Sequence, residues 1–125
     1  MRKGGSSVKE KAMNYCAAGE NCSLGLLKAA AEVYGFGLSE EMKHSCAAIN
    51  SGFGVGSFCS ALVAAVMIFG ILFPAEEAKQ KRLLFLMKIR EKYGTLDCGT
   101  LSANRADCVD LIGEMAELLE ESIAL

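Results

Sequence analysis

At 125 residues the chain is one domain's worth, a single helical domain over 1–125, long enough to bury one core without staples. A formal net charge of −2 argues against a broad electrostatic surface for nucleic acid, so no nucleic-acid partner is expected. Hydrophobic content of 52% with one Pro and no Trp argues against a disordered chain. The first residues, Met-Arg-Lys-Gly-Gly-Ser, carry no apolar stretch of the kind a secretory signal needs, and disorder is expected over 1–6. Without export, six cysteines read as reduced, metal-bound or catalytic thiols in a reducing cytoplasm, and not as three disulfides.

About six helices are predicted, in a compact all-α bundle around one buried apolar helix. The first runs from about Ser7 to Ala18, with Val8, Ala12, Tyr15 and Cys16 on one stripe and Gly19 as its stop. A second spans about Cys22 to Tyr34, capped by Asn21 and ended by Gly35. Ser39 with Glu40 and Glu41 opens a third, extending to about Ile49. From Ser45 to Ala75 no residue is charged, and the apolar run from Phe58 to Phe73 holds the fourth helix, about Ser57 to Leu72. That run falls short of the ~20 residues of a membrane span and lacks aromatic anchors, so it is assigned to the bundle interior and a membrane partner is not expected. Pro74 at a first helical position, then Glu76 and Glu77, starts the fifth, to about Tyr93. After the capping signal Asn104-Arg105-Ala106-Asp107, the sixth covers about Arg105 to Ser122, with Cys108, Leu111, Ile112, Met115 and Leu119 on one face. No segment reads as a strand.

The cysteines fall at particular places in this scheme. Cys22 and Cys108 sit in first turns, Cys59 follows the stretch Gly52-Phe53-Gly54-Val55-Gly56 and leads into the apolar helix, and Cys98 lies in the loop before the last helix. A thiol in the first turn of a helix feels the positive end of the macrodipole and free backbone N–H groups, which predicts depressed pKa values at Cys22, Cys59 and Cys108. Cys16 and Cys46, late in their helices, read as structural, although Cys16 can approach Cys22 across the Gly19 turn as an auxiliary thiol. His44 reads as a surface residue. The stretch Gly52-x-Gly54-x-Gly56 follows no strand, so it reads as a tight turn beside Cys59 and not as a nucleotide loop.

The order Asn21-Cys22, a Gly-rich turn leading into Cys59-Ser60-Ala61, then Cys98 and Cys108 in a C-terminal helical segment resembles the C_GCAxxG_C_C family of redox-active proteins. The similarity covers about residues 8 to 120. Members are small helical proteins, and a related domain of split-Soret cytochromes associates its cysteines with an iron–sulfur centre. The resemblance implies that Cys22, Cys59, Cys98 and Cys108 are the family's four cysteines and that Gly52, Gly54 and Gly56 form its Gly-rich turn. Where the family's middle motif has glycines after its cysteine, this chain has Ser60 and Ala64.

Cys-only ligation suits zinc or an iron–sulfur cluster, since hard cations want oxygen. Structural zinc normally uses paired C-x-x-C knuckles, which are absent, so zinc is the weaker fit; widely separated ligands fit a cluster in a preformed pocket. No C-x-x-C-H attaches a c-type haem. The expected function is electron transfer or redox sensing through Cys22, Cys59, Cys98 and Cys108, with a redox partner of unknown identity. Two alternatives stand beside it: a metal-free thiol–disulfide oxidoreductase, for which Cys98 and Cys108 are near enough in sequence to pair, and a non-catalytic helical interaction module. An all-round apolar fourth helix and the stripe Leu83, Leu86, Met87 predict a homodimer.

Overall fold

A computed structural model describes residues 7–103, 105 and 107–125. The expected disorder of residues 1–6, and two positions of the capping signal before the last helix, lie outside the described residues. Among the described residues seven α-helices follow in order: α1 (Val8–Ala17), α2 (Cys22–Tyr34), α3 (Glu40–His44), α4 (Ser60–Leu72), α5 (Ala75–Tyr93), α6 (Cys98–Leu101) and α7 (Val109–Ala124). Among the described residues there is no strand, only an isolated antiparallel bridge between Phe58 and Asp97. The five long helices close a ring in which α1 packs on α2, α2 on α4, α4 on α5, α5 on α7 and α7 back on α1. α7 also reaches across to α4 and α2. No helix of the described residues is long and apolar enough to cross a membrane.

Local chemistry sets most of the boundaries. The Ser7 hydroxyl accepts from the Glu10 amide at 3.1 Å, and the Ser39 hydroxyl from the Met42 amide at 3.1 Å, each satisfying a first-turn donor that the helix itself cannot. Gly35 and Gly94 end α2 and α5 in the left-handed conformation, at φ +78° and +75°. Leu26, Leu27 and Val33 of α2, Leu62, Ile68 and Phe69 of α4, Phe85 and Ile89 of α5, and Ile112, Met115 and Leu119 of α7 form the fully buried core. Phe69 and Phe85 meet edge to face, centroids 5.6 Å apart. The α4 part of the charge-free run thus ends up inside, packed against α2, α5 and α7, while most of 45–57 stays exposed.

Several boundaries differ from the sequence expectation. α3 stops at His44 instead of reaching Ile49: the Ser45 hydroxyl donates to the Met42 carbonyl at 2.6 Å and turns replace the helix. α4 begins at Ser60 and not near Ser57, because 57–59 are extended against 96–98. Pro74 is the N-cap of α5, one residue outside the helix. Cys98, expected in a loop, opens the short α6, and Cys108, expected just inside the last helix, is the N-cap of α7.

Candidate functional site

Every cysteine of the expected set stands at the start of a helix. Cys22 is the first residue of α2, behind the N-cap Asn21, whose side-chain oxygen accepts from the Ser23 amide at 3.0 Å and the Ser23 hydroxyl at 2.6 Å. The Asn21 amide nitrogen donates to the Cys46 carbonyl at 3.0 Å, anchoring the entry to α2 against the segment after α3. Cys59 is the N-cap of α4, and Cys98 the first residue of α6. Their segments are zipped together: the Cys59 amide donates to the Leu96 carbonyl at 3.0 Å and the Cys98 amide to the Ser57 carbonyl at 2.6 Å, flanking the Phe58–Asp97 bridge. Cys108 accepts the first helical bond of α7 from the Ile112 amide at 2.9 Å.

The glycine turn supports this pairing. Ser51, Gly52, Phe53, Gly54 and Gly56 all have left-handed φ, between +57° and +79°. At Gly52 a Cβ would lie 2.5 and 2.7 Å from the backbone N and O of Ser57 and 2.9 Å from the Cβ of Cys98, so only glycine fits. Gly99 plays a matching part across the contact, since a Cβ there would lie 3.3 Å from the Gly56 carbonyl oxygen. Gly54 faces open space. Gly99 was not singled out from the sequence; its position directly after Cys98 was the available signal. The backbone partners Ser57 and Leu96 leave no sequence signal, because the bonds use main-chain groups.

Cys22, Cys59, Cys98 and Cys108 line one cavity of about 320 Å³. Glu20, Asn21, Asn50, Ser51, Ser60 and Ser102 share its wall, and Leu101, Leu111, Ile112 and Met115 close its apolar side. Among the described residues, no Lys or Arg lines it. Of the two positions where the family has glycine, Ser60 lines this cavity and Ala64 is buried in the core. Cys16 stands just behind, its Sγ 2.8 Å from that of Cys22. Cys46 is buried away from this cavity, with its thiol directed to the Met42 carbonyl, and His44 is exposed.

The expected depression of the helix-start thiols is corrected by the structure. Burial pushes Cys22 well above the ordinary thiol value; its contact with Cys16 and the proximity of Cys108 and Cys59 add to the effect. Cys59 is raised by burial, and the amides of Leu62 and Ala61 offset only part of that. Cys108 is raised by burial and by Cys16 and Cys98, partly opposed by Arg105. A helix terminus contributes about 0.3–1 kcal/mol, less than one pKa unit, whereas full burial can move a group by several units. Burial wins. As they stand, these thiols favour the protonated form, and converging sulfurs would repel one another as thiolates.

No three of the described His, Cys, Asp or Glu side chains are drawn close enough to hold one metal ion. A single ion at a Zn–S distance of about 2.3 Å needs its sulfurs nearly in contact. A multi-atom cluster spreads its ligands farther apart.

A sequence profile described as "Putative redox-active protein (C_GCAxxG_C_C)" matches residues 20–122. No curated protein and no solved structure matches the chain significantly. The profile takes in all four cavity cysteines and the glycine turn, while Cys16 precedes it. The chain therefore belongs to the C_GCAxxG_C_C family of redox-active proteins.

Proposed function

We propose that Cys22, Cys59, Cys98 and Cys108 ligate an iron–sulfur cluster and that the protein transfers or senses electrons through it. The observation that carries this reading is the convergence of four helix-start cysteines on one cavity of about 320 Å³. The donor set fits. Four sulfurs are the usual complement of such a cluster, and among the described residues no lysine or arginine lines the cavity to pair with the thiolates instead. Thiols that burial keeps protonated release their protons when positive metal charge arrives, which makes loading dependent on pH. A bound cluster would supply one-electron chemistry near the ordinary potentials of biological carriers.

The chain's own residues do the rest. Asn21 fixes the direction from which Cys22 enters, and the backbone pairing of 57–59 with 96–98 sets Cys59 beside Cys98. Leu111, Ile112 and Met115 exclude water from one side, strengthening electrostatic interactions there. Free thiols of this kind suit a reducing compartment, and the cytoplasm is the proposed location.

Anaerobic reconstitution with iron and sulfide is the test. The wild type is expected to bind iron and acid-labile sulfide with visible absorption, Cys59→Ser and Cys108→Ser to lose most of both, and Cys46→Ser to keep them. Zinc binding without sulfide, or no difference between Cys59→Ser and Cys46→Ser, would overturn the cluster reading.

A further inference from the structure

The contact between Cys16 and Cys22 ties one member of the set just proposed to a thiol outside it. Their sulfurs are 2.8 Å apart, under about 1 Å from the ~2.05 Å of a disulfide bond. Rigid structure holds them there. α1 ends in a tight reversal in which the Gly19 amide donates to the Cys16 carbonyl at 3.1 Å and the Glu20 amide to the Tyr15 carbonyl at 3.0 Å. Gly19, at φ +93°, turns the chain, and Asn21 starts α2 at once. Side chains tie these elements together: Tyr15 and Lys11 of α1 to Glu32 of α2, and Lys28 of α2 to Glu20 in the turn at 2.5 Å. Gly25 permits the close approach, since a Cβ on it would come within 3.1 Å of the Tyr15 Cβ and 3.9 Å of the Cys16 nitrogen.

Cys22 therefore has two neighbours to choose between, the cavity and Cys16. We infer that Cys16 and Cys22 form a reversible intramolecular disulfide, made by exchange with a small organic disulfide, and that this bond withdraws Cys22 from the cavity set. One thiolate of the pair attacks a sulfur of the organic disulfide, forming a mixed disulfide and expelling one thiolate. The other protein thiolate attacks the protein sulfur of that mixed disulfide and expels the second. The two protein thiols are oxidised by two electrons, the organic disulfide is reduced to two thiols, and the two thiol protons end on those products. The bond itself depends only on the contact; its consequence, a cavity left with three free sulfurs that loads only after reduction, rests on the cluster reading.

Metal-free, reduced full-length protein is incubated with oxidised glutathione, its remaining thiols are alkylated, and tryptic peptides are weighed. Cys16 and Cys22 share the peptide between Lys11 and Lys28, so the bond is read as that peptide unalkylated and lighter by two hydrogens. The expected result is that this peptide oxidises before Cys59, Cys98 or Cys108 lose their alkylation, and that dithiothreitol reverses it. Both cysteines fully alkylated while another pair oxidises, or glutathione retained on either one, would overturn the inference. Iron loading after the same oxidation tests the consequence: the wild type loses it until reduced again, and Cys16→Ser, in the fraction whose Cys22 carries no glutathione by mass, keeps it. Loading unaffected by the Cys16–Cys22 bond overturns the withdrawal of Cys22. Failure of reduced protein to load at all strikes the cluster reading alone, because the peptide map is made without metal.

Discussion

A methyl group at position 52 would collide with the Ser57 backbone at 2.5 and 2.7 Å, on a residue already at φ +61°. Backbone cannot move aside as a flexible side chain can. Gly52→Ala is therefore expected to cost at least about 2 kcal/mol in urea denaturation and to abolish iron loading, through strain that falls on Ser57 and Cys98. Gly54→Ala, at φ +79° with open space around it, should cost only the left-handed penalty of about 1–2 kcal/mol and leave loading intact. Accessibility also ranks the thiols. Cys46 at 1% and Cys59 at 8% exposure should be the last to react with iodoacetamide in the metal-free protein, read by time-resolved mass spectrometry. Early labelling of Cys46 would contradict its place in the core.

Between α1 and α2 the clasp on Glu32 gives the bundle a dependence on acid. The hydrogen bond from Tyr15, and then the Lys11 ammonium, hold the Glu32 carboxyl below its ordinary value of 4.5. A lowered folded pKa means that the contribution is complete above about pH 4.5 and is lost as pH falls through the folded value. The group is largely solvent-screened, so the effect is expected below about 1 kcal/mol. Melting temperature measured from pH 7 down to pH 3 should fall less for Tyr15→Phe than for the wild type. Helix ends were legible where their signals are local: Asn21 and Ser39 cap within three residues, Gly35 and Gly94 stop the chain where it stands. The start of α4 and the existence of α6 were not, since 57–59 and 96–98 settle their conformation by bonding to each other across the whole α4–α5 hairpin. Cys22, Cys59 and Cys108 could be placed at or near helix starts from sequence; Cys98, which opens α6, could not. The protonation of these thiols could not either, because burial is a property of the assembled bundle and outweighs the dipole that the sequence reveals.

At the scale of the molecule, α4 is absorbed within one chain; among the described residues, the large apolar side chains left exposed lie on α5, apart from Phe53 and Val55 in the glycine turn and Leu125. Leu83, Leu84 and Met87 are 58%, 44% and 59% exposed, while Leu86 of the expected stripe is half-buried. Self-association through this face is the expected use of it, as an isologous pair of α5 helices. Sedimentation at micromolar concentration should give a dimer, and Leu83→Glu with Met87→Glu a monomer with unchanged iron content. A monomeric wild type would count against the pairing.

The bridge between Phe58 and Asp97 also sets a clock on maturation. The cavity cysteines beside it, Cys59 and Cys98, come from opposite ends of a long helical hairpin, and the other two from positions 22 and 108. Contacts so distant in sequence form only after the intervening chain exists and has closed on itself. A nascent chain emerging from the ribosome brings together at most the local pair Cys16 and Cys22; on the proposed cluster reading, acquisition therefore follows translation, and whatever delivers the cluster meets a finished fold.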